Sequence, residues 1–198
     1  MSDDGIVNDQ VLNLRTMVDV DLERAGILAR LSEYIMADKP IPPTLVVFSD
    51  DKRVAMVTCR KVDDEKTFDR DLAIVEMLYV RSALRATTSI LTYVDDIHFA
   101  NGVEPAVVFA IFTSVGLVSE AFPIRHHEDG TVFFDNETDL DPETQIVSDD
   151  LSDALAIFHR SINPYPPTFN IDWLLSEGHE IELFEGYTAN NINISSGF

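Results

Sequence analysis

Two groups of side chains have the types and spacing for chemistry. Asp95, Asp96 and His98 crowd the end of a β-prone run, and His126, His127, Glu128 and Asp129 crowd what reads as a hairpin tip. Carboxylates and imidazoles at strand ends can hold Mn²⁺, Zn²⁺ or Fe²⁺ and activate a water for hydrolysis. Asp95, Asp96, His98, His126 and His127 are therefore the candidate metal ligands of a metal-dependent hydrolase, with a divalent metal as its cofactor. Alternation limits the idea, because on a strand His126 and His127 point to opposite faces and only one of them could join a shared site. The plainer reading is satisfied or solvated histidines and no cofactor.

Other chemistries find less support. Asp50 and Asp51 followed by Asp64-Glu65-Lys66 have the acid order of some metal-dependent nucleases, but that trio falls in a charged loop where orientation is poorly fixed. The eight glycines form neither a G-x-x-x-x-G-K-[ST] loop nor a G-x-G-x-x-G turn, and no G-x-S-x-G elbow or H-E-x-x-H helix occurs. These absences argue against nucleotide hydrolases, dinucleotide enzymes, α/β-hydrolases and zincins, and no catalytic residue is assigned. Cys59 is the single cysteine, so an intrachain disulfide and cysteine-based zinc sites are excluded. Its β-prone neighbours make it a buried small hydrophobe in preference to a reactive thiol.

What remains is charge. The 198 residues carry 35 acids against 14 bases, a formal net charge of −21. Residues 101–198 hold 17 of those acids and only Arg125 and Arg160 as bases, a net of −15. An Asp-rich, Lys-poor surface suits a protein kept soluble in molar salt, as from a halophilic source or its virus, where screening makes self-repulsion cheap. A solvent adaptation should spread evenly, whereas concentration in one half suggests a face that meets a basic protein surface. The candidate partner-binding residues are Asp135, Glu137, Asp139, Asp141, Glu143, Asp149, Asp150 and Asp153. Direct nucleic-acid binding is not expected, because a phosphate backbone needs Lys and Arg to replace its counterions.

The elements that must position these groups follow from patterning. A hydrophobic content of 45% with 12 Phe supplies a core for one domain and argues against wholesale disorder. Leu28, Leu31 and Ile35, flanked by Ile27 and Tyr34, predict an N-terminal helix capped by Asp19 or Asp21 and ended by Pro40, Pro42 and Pro43. That helix either packs on the main domain or makes a homo-oligomer. Thr44–Phe48 and Arg53–Lys61 predict a hairpin, and 69–86 a mostly buried helix with Leu72, Val75 and Tyr79 as one stripe, widened by Ile74, Met77, Leu78 and Leu84. A strand over Ser89–Val94, runs at Ala106–Thr113 and Val115–Phe122, and a hairpin across Asp129-Gly130 follow. Ser148 is placed to cap a C-terminal helix carrying Leu151, Leu155 and Phe158, and a short apolar element around Trp173 precedes a last strand from Ile181.

The expectation is a single α+β domain, mostly antiparallel sheet covered by a buried helix, with N-terminal and C-terminal helices. Its segments are 1–40, an N-terminal helical segment; 41–187, the core; and 188–198, a polar tail. No apolar run approaches the roughly 20 residues of a membrane span, and Met1-Ser-Asp-Asp4 is acidic where a secretory signal is basic. The sequence thus reads as a cytoplasmic protein that avoids membranes: a non-catalytic acidic adaptor, inhibitor or assembly component, with the metal-dependent hydrolase as its alternative.

Overall fold

The run Ala106-Val-Val-Phe-Ala-Ile-Phe112 carries no polar side chain on either side of its pleat, which suits a strand only where both faces of its sheet are covered. The computed structural model, which describes residues 18–60, 69–84, 86–113, 116–135 and 171–184 together with 186 and 188, shows that covering. In chain order the elements are α1 (Val20–Met36), β1 (Thr44–Ser49), β2 (Lys52–Cys59), α2 (Arg70–Ala83), β3 (Thr88–Phe99), β4 (Gly102–Phe112), β5 (Leu117–His126), β6 (Val132–Phe134), α3 (Ile171–Ser176) and β7 (His179–Leu183). The strands form one sheet in the order β6-β5-β4-β3-β1-β2-β7, with every pairing antiparallel. The molecule is a single α+β domain.

Successive residues of the strands enter different cores. Leu45, Val47, Val57, Leu91, Val108 and Phe112 cluster with Ile74, Met77 and Leu78 of α2 and with Leu174 of α3. Val46, Phe48, Ile90, Val107, Phe109 and Ile111 cluster with Val20 and Ile27 of α1. The side chain of Asp19 caps α1 by accepting the Leu22 N–H at 3.0 Å, and Asp69 does the same for Leu72 of α2. Two ion pairs fasten α1 to the sheet beneath it, Arg24 to Glu120 of β5 and Arg53 of β2 to Glu23. The N-terminal helix thus packs on the main domain.

Three expectations change. In α2 Ile74, Met77, Leu78 and Val80 are fully buried, Val75 and Tyr79 pack partly buried on the same core, and Leu72 is 55% exposed, so of the expected stripe Leu72 turns to solvent. Strand β3 continues beyond Val94 to Phe99, because the chain reverses only at Ala100-Asn101, where Phe99 pairs with Gly102. Gly102 takes φ 126, a conformation that favours glycine. Strand β5 is continuous through Pro123, which pairs with Ala106. The Pro123 carbonyl accepts from Asp135 on the β6 side, so its missing N–H also falls on that side, past the last ladder pair Ile124–Phe134.

The Asp129-Gly130 reversal is a hairpin, but not the two-residue form in which both central residues have positive φ. Gly130 donates to the His127 carbonyl at 2.9 Å and alone takes positive φ (83°), giving a four-residue turn closed by a left-handed glycine. The helix expected after Ser148 and the tail from Ala189 onward lie outside the described residues. The apolar element around Trp173 is α3, and Gly178, at φ 85, ends it. Among the described residues no helix is long and apolar enough to cross a membrane.

Tyr93 is buried on the α2 side of β3, and its hydroxyl finds no hydrogen-bond partner among the described residues. Burial raises the pKa of that hydroxyl, with the nearby Arg70 opposing the shift. An idle buried hydroxyl carries a desolvation cost, so Tyr93→Phe is expected to leave stability unchanged or raise it by up to about 1 kcal/mol. Urea denaturation checks this, and a clear loss would show that the hydroxyl has a partner.

Candidate functional site

Alternation along β3 decides what the first acidic group can do. Asp95 points to the α2 side, where its carboxylate lies 2.7 Å from the Arg70 guanidinium. Arg70 also contacts Asp71 at 2.9 Å and lies 5.2 Å from the Tyr93 ring centroid. Burial works against the charge on Arg70, and the hydrogen bonds to Asp95 and Asp71 outweigh it, holding its pKa above the ordinary value. Asp96 and His98 are exposed and alternate with Ile97 and Phe99, which enter the α2 core. The strand thus directs Asp95 and its two neighbours to opposite faces.

His126 is the last residue of β5, opposite Val132, and is exposed. The His127 ring stacks on Phe133 with centroids 4.3 Å apart and planes 25° from parallel. Beside it, Asp129 accepts from both the Thr131 hydroxyl (2.7 Å) and the Thr131 N–H (2.9 Å), which hold its carboxyl below the usual range. The whole of β4 lies between this hairpin and β3. Among the described residues no three His, Cys, Asp or Glu side chains come together as metal ligands. Asp64-Glu65-Lys66 lies outside the described residues.

Of the acidic candidates for a partner, Asp135 is described, and its carboxylate lies 3.8 Å from Arg125, which also pairs with Glu104. Glu137, Asp139, Asp141, Glu143, Asp149, Asp150 and Asp153 lie outside the described residues.

The structure brings together a pair that the spacing did not suggest. His179 opens β7 and Glu76 lies on the buried side of α2, 103 residues away, yet His179 Nε2 is 2.7 Å from a Glu76 carboxylate oxygen. The His179 side chain is fully buried and that of Glu76 is 11% exposed. A carboxylate can only accept, so this contact assigns the donor role to Nε2–H, and the buried Nδ1 has no hydrogen-bond partner among the described residues. Cys59, also buried, is the cross-strand partner of His179. One sign was available in the sequence: Glu76 interrupts the apolar run Ala73, Ile74, Met77 and Val80, where a buried acid must find a partner.

On the opposite face, beside the C-terminal end of α1, β2 and β7 border an open groove of about 590 Å³. Met56 and Thr58 of β2, Tyr34 of α1, Pro40, and Glu180 and Glu182 of β7 line it. Arg60 contacts Glu180 at 2.5 Å, with both side chains more than half exposed. Such an exposed pair is worth under about 1 kcal/mol. Compared with family models, with curated proteins and with solved structures, the chain matches none.

Proposed function

We propose that this is a non-catalytic acidic interaction protein, an adaptor, inhibitor or assembly component, whose C-terminal half engages a basic partner. The observation that supports it is where the arginines are placed. Arg24, Arg53, Arg60, Arg70 and Arg125 each close on carboxylates of the same chain. These five arginines thus neutralise acids within the fold, while exposed Asp50, Asp51, Asp96, Glu128, Asp172 and Glu182 face solvent. Residues 101–198 carry a net of −15, and such an excess attracts a basic surface over a Debye length of about 8 Å at physiological salt.

Beads carrying the full chain are expected to retain a lysine-rich basic protein at about 0.15 M salt, more strongly than beads carrying an unrelated protein of equal net charge. Equal retention by both, or none, removes the reading. A melting temperature that climbs steeply from low to molar KCl would also count against it, assigning the acids to solvation in a saline medium.

A further inference from the structure

We propose that the outer face of α1 is the seam of a two-fold, antiparallel dimer of this chain. The inner side of the helix packs on the sheet through Val20, Ile27 and Leu31. The opposite side is where a surface helix ordinarily carries its charges. Here it presents Leu22, Ala25, Gly26, Ala29 and Met36, all exposed, with Leu22 at 68% and Met36 at 56%. At 3.6 residues per turn these five positions and Glu33 fall within about 100° of one another. Gly26 is a second sign. In the middle of a helix a glycine costs about 1 kcal/mol against alanine, and among the described residues nothing lies within 4 Å of where its side chain would be. One copy has no use for the missing side chain, whereas a second helix gains a closer approach from it.

Charge and symmetry select the occupant. A chain with a net charge of −21 repels its own copy over most of its surface. Between Leu22 and Met36 the exposed charged side chains of α1 are Arg30 and Glu33, and they cancel. The face is also its own complement. Leu22 and Met36 stand seven residues on either side of Ala29, so a two-fold axis at Ala29 lays each leucine against the methionine of the second copy. Ala25, Gly26 and Ala29 then let the backbones approach between them. Glu33 meets Ala25 across this seam, and the two Arg30 lie near the axis with a Glu33 on either side, a quartet without net charge. Parallel pairing sets Glu33 against Glu33 and aligns the two helix dipoles, both unfavourable. A seam of one 17-residue helix from each copy is about 25 Å long. That is small beside a standard interface, so the dimer is expected to be weak, with a Kd on the order of 100 µM.

Sedimentation of the full chain is expected to show a dimer that grows with protein concentration. It should grow again from low salt to about 0.5 M KCl, as screening removes the repulsion between copies. Contact with a basic partner weakens over the same range, so the two associations are told apart. At the higher salt, Leu22→Glu combined with Met36→Glu should weaken the dimer at least about tenfold. Leu72→Glu combined with Val103→Glu adds the same charge at two exposed apolar residues off α1 and should not. Equal weakening by both pairs would overturn the seam. Ala29→Cys, which the axis sets against itself, should cross-link the dimer when treated with diamide, while Cys59 is buried. Cross-linking by Leu22→Cys alone and not by Ala29→Cys would overturn the antiparallel arrangement. A monomer at every concentration and salt would overturn the dimer itself.

Discussion

Truncating Phe109 to alanine is expected to remove about 3–5 kcal/mol of stability, much of the total available to a domain of this size. Phe109 sits at the centre of β4, between Thr92 of β3 and Glu120 of β5, and none of it reaches solvent. Its ring meets that of Phe122 edge-on, with centroids 5.6 Å apart, and shares a core with Val20 and Ile27 of α1. Neighbours pinned in a β-ladder cannot close on the space left behind, so the cavity penalty adds to the lost transfer energy. Leu22→Ala, at a leucine 68% exposed on the outside of the same helix, should change stability by less than about 0.5 kcal/mol. Urea midpoints at constant slope measure both. A loss below about 1 kcal/mol at Phe109 would mean that α1 does not cover this face.

The second large effect concerns the buried pair. Glu76→Leu is expected to cost about 3 kcal/mol, because it leaves the His179 ring buried with neither nitrogen satisfied. His179→Leu should cost a similar amount by stranding the carboxylate. The double variant should lose less than either single change, since two apolar side chains of similar volume remove the desolvation penalty along with the hydrogen bond. A double-mutant cycle measures this directly. Additive losses would show that the two side chains act independently, and that the 2.7 Å contact contributes nothing to the fold.

The parts of the fold that could be read from sequence are those set by neighbours along the chain. The β1–β2 hairpin, the helix α2 and the reversal at Asp129-Gly130 each announce themselves within a dozen residues through apolar runs, caps and turn residues. The length of β3 was not legible in this way, because the strand runs on past Val94 through polar residues to the reversal at Ala100-Asn101. The acidic Asp95-Asp96 drew attention first, but it is not a strand exit, because Asp95 is held by Arg70 of the covering helix. That contact joins residues 25 apart through the packing of α2 on the sheet, and no local pattern encodes it. The Glu76–His179 pair is further beyond reach, for it depends on which strand comes to lie beside β2. On α2 the exposure of Leu72 has a related reason: the apolar girth of the helix is wider than the surface it meets, and only the sheet selects which residue is left outside.

Most strands of this sheet lie beside a neighbour in the chain, but β7 does not. Cys59 finds His179 across about 120 residues, whereas β3 finds β4 across a two-residue turn. Closing the longer loop costs more entropy, about 0.6 kcal/mol for every doubling of its length, and five short residues must offset it. The hydrogen bond from His179 to Glu76 on α2 fastens β7 at its first residue, so helix and edge strand are coupled. A change that shifts α2 loosens β7 as well, and the availability of that edge is set from the opposite side of the sheet.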